Sequence, residues 1–411
     1  MFQLDEQSQM VGQVIRQWCQ STLAPAIPEL EAGTLMPFDL MKKMAKTFGF
    51  DAMLGGAVKK RIAKLRSGDV NPDDDGEKIG KAMGNPMMMH VVVKELSRVS
   101  PGFAMGFGVS VGLVGGALVS KGTADQIEKY GLPISTMQQI GSWCLTEPNA
   151  GSDAFGSMRT TAKPLDGGGY SLSGSKTFIT NGPGADVFLV YAKIDRGEPP
   201  AGQSVGTFIV ERAMPGVTVG PPFKKMGMRD SPTSEVFFDE VKLGPEHLLG
   251  GKEKGAGGRS DTKESLGNER SGVPSMAWGI IERCYDASLQ YVRDRKQFGR
   301  AIGEFQAVQL KITDLFLKLR TVENIVFRLA WMQQNGVKDL PYINASKAMA
   351  AQLSVDAAMI AIQIHGGYGY MEELGIEKLA RDSKLLELGA GTTDINLLAA
   401  ARQLIGVTER E

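Results

Sequence analysis

Along residues 1–140 apolar side chains recur every three or four positions, as at Met10, Val14, Ile15 and Trp18, and later at Val91, Val92, Leu96 and Val99. That spacing collects them on one helical face, so the block is expected to be helical. From residue 141 the pattern changes. Val187-Phe188-Leu189-Val190-Tyr191, Thr207-Phe208-Ile209-Val210 and Val236-Phe237-Phe238 are short apolar runs separated by Gly, Pro and Asp turns, which predicts strands. A polar, Gly- and Lys-rich connector (Gly250–Glu264) follows, and helical periodicity then returns to about residue 405. The small side chains of Ala345–Ile364 predict a helix that packs tightly against its neighbours. The expected fold is α+β in three domains, helical over 1–140, β over 141–255 and helical over 256–411, without internal repeats.

Two stretches interrupt this pattern. Pro101–Ser120 is uncharged and holds six glycines. It is long enough to raise a membrane question, but it sits alone among charged amphipathic segments, so a helix inside a soluble core is expected and no membrane span. Residues 55–86 place Lys59, Lys60, Arg61, Lys64 and Arg66 ahead of Asp73-Asp74-Asp75, which reads as a solvated excursion or as a loop shaping a pocket entrance.

Composition narrows the function classes. The 411 residues carry 46 basic and 46 acidic side chains, so no global field draws the chain to nucleic acid or an anionic membrane. Three distant cysteines (Cys19, Cys144, Cys284) argue against a disulfide framework, and no basic-then-apolar leader opens the sequence; both fit a cytoplasmic location. Three scattered histidines offer no metal-ligand spacing.

The chemistry concentrates at the first junction between helical and β pattern. Trp143-Cys-Leu-Thr-Glu-Pro-Asn-Ala-Gly-Ser-Asp153 reads as a strand breaking into a tight polar loop with small hydroxyls and exposed backbone N–H groups. Lys176-Thr-Phe-Ile-Thr-Asn-Gly182 has a similar build, with Phe178 and Thr180 at a strand end. Two such ends can stack on and hydrogen bond to a flat heteroaromatic ring, although two surface turns of a β-domain explain the same residues. Further along, Asn268-Glu269-Arg270 reads as a helix start, with the carboxylate complementing the dipole. Arg293–Gly299 reads as a basic turn ending a helix, suited to dipole compensation or to phosphate. In Gln363-Ile-His-Gly-Gly-Tyr-Gly369 one glycine serves as a helix cap, while three in four positions suggest close approach by another group.

Taken in order and spacing, these segments resemble the acyl-CoA dehydrogenase family of flavoenzymes over nearly the whole chain. The resemblance rests on the Thr-Glu-Pro-x-Ala-Gly-Ser-Asp loop, Lys176–Thr180, the Arg-x-x-Phe-Gly turn, Gln-x-x-Gly-Gly and Gly391-Thr392. It implies a barrel-like or sandwich middle domain, a C-terminal four-helix bundle, and FAD held between the two. By this resemblance Trp143, Thr146 and Ser152 line the flavin, with Phe178 against the ring and Thr180 near N5. Arg295, Phe298, Gln363, Gly366, Gly367, Thr392 and Asp394 match positions that hold the dinucleotide tail of a neighbouring subunit's FAD. A homotetramer, arranged as a dimer of dimers, is therefore implied. Ser152, Arg270, Ala390 and Gly391 match positions beside the acyl-CoA thioester. An electron-transferring flavoprotein is the implied electron acceptor, in fatty acid or acyl-CoA degradation.

The reaction class needs a strong base. Removing a weakly acidic α-proton while hydride leaves Cβ calls for a carboxylate in a dry pocket and donors on the thioester oxygen. In many members of the family that carboxylate directly precedes the Gly-Thr pair, where this chain has Ala390. A branch resembling isovaleryl-CoA dehydrogenase shares Gly-Ala-Gly-Thr and takes its base from a Glu-Arg pair on an earlier helix, here Glu269-Arg270. Glu269 is the expected base, and the Ala390 N–H the expected donor to the thioester oxygen. Moving the base to another wall suggests room for a branched, cyclic or bulky acyl group. The alternatives are an acyl-CoA oxidase or desulfinase-like relative, or a silent FAD- and CoA-binding subunit of a heteromeric dehydrogenase.

Overall fold

The computed structural model describes residues 3–69, 85–199, 203–253 and 257–407, with the side chains of 257–269 outside the description. Helix α1 (Glu6–Trp18) opens the chain, capped by the Asp5 carboxylate on the Ser8 N–H at 2.8 Å. Helix α2 (Pro86–Ser97) starts at Asn85, whose side chain accepts from Met87 N. Both helices pack into one core with Trp278, Ile281 and Val322 from the C-terminal half, so the helices at the two ends of the chain share a single interior.

Part of the 55–86 segment is ordered differently from the solvated excursion the sequence suggests. Gly56–Ser67 is a helix, because Val58 and Ile62 lie four residues apart and bury one face. Lys59, Lys60, Lys64 and Arg66 are exposed, with Arg66 bonded to Glu128 at 2.7 Å and Asp125 at 3.1 Å, while Arg61 is buried with the apolar face. Residues 70–84, including Asp73–Asp75, lie outside the described residues.

Pro101–Lys121 is helical throughout, with a wider π-helical stretch at Gly108–Gly115, and 78% of its most apolar window is buried inside the protein. It is a core helix. Its face meets the start of the sheet: Ser110 Oγ accepts from Gly141 N at 3.0 Å, and Asn181 Nδ2 donates to Gly106 O at 2.8 Å.

The middle sheet comprises β1 (Gly141–Cys144), β2 (Thr161–Pro164), β3 (Tyr170–Thr180), β4 (Val187–Ile194), β5 (Val205–Glu211), β6 (Val217–Val219) and β7 (Thr233–Leu243). It runs β1-β4-β2-β3-β7-β6, and β5 lies along β4. β1 and β2 pair in parallel with successive parts of β4, so β5 occupies its other edge. Every residue of β4 is buried, as a strand covered on both faces requires. This sheet has its own core around Leu172, Phe188, Phe208 and Val236.

The C-terminal helices are α3 (Gly257–Asp294), α4 (Gln306–Gln334), α5 (Leu340–His365), α6 (Ile376–Leu388) and α7 (Thr393–Ile405). Two sequence expectations need correction here. Helix α3 begins at Gly257, inside the supposed connector, so Glu269 lies more than three turns from the helix start and cannot act as a dipole-complementing first-turn residue. Glycines at 257, 258 and 267 made the segment read as a linker; each costs a helix about 1 kcal/mol, which a long packed helix absorbs. The basic turn after α3 is a tight hairpin, Lys296–Gln297 paired with Arg300–Ala301. Phe298 (φ 51°) and Gly299 (φ 80°) take the two left-handed positions that a two-residue hairpin turn demands.

Candidate active site

The Trp143–Asp153 loop is built around a buried ion pair that the sequence reading passed over. Lys176, fully buried in β3, donates to Leu145 O at 3.0 Å and to Glu147 Oε1 at 2.8 Å. The Glu147 carboxylate also accepts from Arg159 N at 2.7 Å and Thr160 N at 2.9 Å. Burial pushes the Glu147 carboxyl up, but the Lys176 ammonium and these N–H groups outweigh it, and the net direction is down. Thr177 N donates to Thr146 O at 2.9 Å, so the two strand ends singled out in the sequence lie side by side. A lysine in the middle of a buried strand was the available signal.

At the next residues β3 loses register with β7 between Lys176 and Ile179, and Phe178 takes a left-handed conformation (φ 57°). A phenylalanine there is strained, and the bulge turns its ring outward to 68% exposure, 5.8 Å from the ring of Phe223. Thr146 and Thr180 are half-buried at the same strand ends. An outward aromatic face with two neighbouring hydroxyls fits a flavin ring. Trp143 serves differently. Its indole packs on Tyr191 at 4.8 Å between centroids, and its buried Nε1 has no hydrogen-bond partner among the described residues. Ser152 lies exposed in the loop, one residue before Asp153, which accepts from Gly156 N and Ser157 Oγ.

Helix α6 leads into a second cluster. Residues Met226–Ser231, just before β7, dock on this helix: Met228 N donates to Asp382 Oδ1 and Arg381 donates to Met226 O at 3.0 Å. After α6 the chain turns at Ala390 (φ 54°) and Gly391 (φ 82°), two successive left-handed residues. Arg270 Nε donates to Ala390 O at 3.2 Å and Arg270 Nη1 to Asn344 Oδ1 at 2.9 Å. Thr392 caps α7, its Oγ1 accepting from Ile395 N at 3.3 Å. The structure therefore brings Arg270, Ala390, Gly391 and Thr392 together, with Asn344, Lys347 and Asn396, which sequence reasoning missed. Glu269 directly precedes Arg270 in the same helical turn; its side chain lies outside the described residues.

The remaining predicted residues sit elsewhere. Gln363, Gly366 and Gly367 are exposed at the C-terminal end of α5. Arg295 lies beside them, 5.8 Å from the Tyr368 ring, and Tyr291 donates to His365 O at 3.3 Å. Phe298 is 92% exposed at its hairpin tip, and Asp394 is exposed on α7. Asn344, beside the 390–391 turn, and His365 are 21 residues apart on α5, about 30 Å at 1.5 Å per residue. The tail-binding candidates thus divide between opposite ends of one helix.

An exposed aromatic ring at a bulged strand end with two hydroxyls near it, and a polar turn bonded to Arg270, are features suited to holding a flat cofactor and a polar substrate. Comparison with known proteins gives the chain a family. The family models described as "Acyl-CoA dehydrogenase, middle domain" and "Acyl-CoA dehydrogenase, C-terminal domain" match residues 142–241 and 256–405. The chain is 30% identical to a short-chain-specific acyl-CoA dehydrogenase of Clostridium acetobutylicum, over 98% of this chain and 99% of that one. It is 36% identical to the mitochondrial isovaleryl-CoA dehydrogenase of Arabidopsis thaliana, over 76% and 75%. Among solved structures, butyryl-CoA dehydrogenase of Megasphaera elsdenii superposes with a TM-score of 0.85 at 29% identity, over 98% and 100%. A chain from a structural study of the electron-transferring flavoprotein of Acidaminococcus fermentans gives 0.85 at 31%, over 98% and 99%. The FAD complex of PigA gives 0.84 at 25%, over 99% of both chains. This chain belongs to the acyl-CoA dehydrogenase family and is an FAD-dependent oxidoreductase.

Proposed function

We propose that the protein oxidises an acyl-CoA thioester to the 2,3-enoyl-CoA, with Glu269 as the base. The observation that carries this reading is the tie between the Arg270 turn and the Ala390–Gly391 loop. Ala390 has no proton-accepting side chain, and the neighbouring position on the helix held to it is a carboxylate. When bound, FAD supplies a hydride acceptor; Thr146, Phe178 and Thr180 would hold its ring. Glu269 takes the α-proton, and backbone N–H groups of the 390–391 turn polarise the thioester oxygen, which makes that proton acidic enough to remove.

The division of tail-binding residues between the two ends of α5 supports cofactor sites completed by a second subunit, in a homotetramer of paired dimers. Exposed Phe298, Tyr368 and Tyr370 supply apolar surface for it. The isovaleryl-CoA dehydrogenase relative supports a branched or bulky acyl group, and the Acidaminococcus structure supports an electron-transferring flavoprotein as acceptor. Three buried free cysteines suit work in a reducing cytoplasm, in acyl-CoA degradation.

The test is anaerobic flavin absorbance on titration with linear, branched and cyclic acyl-CoAs. The proposal expects bleaching, strongest with a branched or cyclic chain. Preference for medium linear chains removes the bulky-substrate reading, oxygen consumption without an artificial acceptor makes the protein an oxidase, and no bleaching with any acyl-CoA makes it a silent subunit.

A further inference from the structure

The Ala390–Gly391 turn is held in a conformation its sequence does not favour. Two consecutive left-handed residues, one of them alanine, cost of the order of 1–2 kcal/mol for the non-glycine position. The compensation comes from three side chains that all bond the turn's carbonyl oxygens. Lys347 Nζ donates to Gly391 O at 2.6 Å. Asn396 Nδ2 reaches Gly391 O at 2.7 Å and Thr392 O at 2.9 Å. Arg270 Nε takes Ala390 O. Lys347 and Asn396 are fully buried. Asn344, which accepts from Arg270, lies one turn before Lys347 on α5, so a single helix face supplies both anchors.

A buried ammonium is costly unless its interactions repay the lost hydration. Here Lys347 lies in an alanine-rich helix that could have buried another small apolar residue at that position. Its ammonium donates to the Gly391 carbonyl, in the turn beside which the reaction is proposed. Each trans peptide points its N–H opposite its C=O. Fixing the Ala390 and Gly391 carbonyls against Arg270 and Lys347 therefore fixes the two peptide planes that directly follow the Ala390 N–H, and holds the Gly391 N–H on the side away from Arg270.

Resting on the proposed reaction, we propose that Lys347 is a positioning residue for it. Acting through the Gly391 carbonyl, Lys347 holds the two-residue left-handed turn in place, and with it the Ala390 N–H proposed as donor to the thioester oxygen, where negative charge develops as the α-proton leaves. This deepens the role of the turn: the donor is backbone, but a buried lysine behind the turn keeps it in position.

The experiment compares the FAD-loaded wild type with Lys347→Met, Lys347→Arg and Glu269→Gln. Three readouts are used: steady-state rates, the long-wavelength band formed with a non-oxidisable 3-thia-acyl-CoA whose α-proton can still leave, and amide hydrogen exchange at 389–393. Lys347→Met is expected to lower kcat ten- to a hundredfold with KM changed less than threefold. It should weaken the 3-thia-acyl-CoA band and speed exchange at 389–393, and Lys347→Arg should restore part of each. The proposal is overturned if Lys347→Met keeps kcat and the band within twofold. It is also overturned if Lys347→Met loses FAD and thermal stability in proportion to activity and Lys347→Arg restores none of the three. A wild type that neither bleaches nor forms the band with any acyl-CoA refutes the dehydrogenase reading instead, and exchange at 389–393 still reports whether Lys347 holds the turn.

Discussion

At the scale of single residues, Glu147 and Lys176 show how a recognisable loop is made. The Thr-Glu-Pro segment reads as a candidate cofactor region in the sequence, yet its glutamate faces inward to a lysine and two backbone N–H groups. Lys176→Met leaves the Glu147 charge buried without its partner, an expected loss of about 3–5 kcal/mol by urea unfolding. Adding Glu147→Gln should recover much of that loss, since no uncompensated charge then remains. Because the folded Glu147 carboxyl lies below its usual range, its contribution is present above the unfolded pKa and fades as pH falls through the folded value. The side-chain identities of this site were legible in the sequence; the directions were not. Phe178 and Ala390 take positive φ angles, which no pattern of side chains announces for a residue other than glycine.

At the scale of elements, periodicity identified helix, sheet and helix correctly as types, and failed where composition and conformation disagree. Gly257–Gly267 has the residues of a linker and the backbone of a helix, because the long packed helix beyond it carries those first turns. The Lys296–Ala301 hairpin is too short for any alternation to reveal. Strand order was equally hidden, since the parallel pairing of β1 and β2 with β4 joins residues far apart in sequence. The hairpin carries its own prediction. Phe298 touches little of its own chain, so Phe298→Ala should change subunit stability by less than about 0.5 kcal/mol. Gel filtration and the flavin-to-protein absorbance ratio should nevertheless show weaker assembly or FAD loss. Unchanged assembly and FAD content would remove the hairpin from the shared site.

At the scale of the whole molecule, three parts of the chain meet at one buried charge cluster. Lys378 on α6 lies 3.1 Å from Asp230 of the middle segment, 3.3 Å from Glu31 near the N-terminus, and against Asp382 one turn along. Ser100, at the start of the buried Pro101–Lys121 helix, donates to Asp230. The cluster fixes α6, and through it the 389–392 turn, against the sheet that carries Phe178. Burial pushes the Asp382 carboxyl up to about 6, against the Lys378 ammonium. A carboxyl raised in the folded state favours folding in acid, and that contribution is lost as pH rises through about 6. Asp382→Asn should therefore gain stability relative to wild type as pH rises from about 4 to 6; thermal melts across that range check the sign, and a constant difference would contradict it.

In the proposed reaction the proton chemistry turns on Glu269, proposed to stand in for the carboxylate missing at Ala390. The most direct measurement is anaerobic stopped-flow reduction of the flavin by the best acyl-CoA found, in wild type and in Glu269→Gln with matched FAD content. Rapid bleaching is expected in the wild type, with a rate lowered by at least about a hundredfold in Glu269→Gln while substrate still binds. Equal bleaching in the two proteins would contradict the Glu269 assignment and place the base elsewhere.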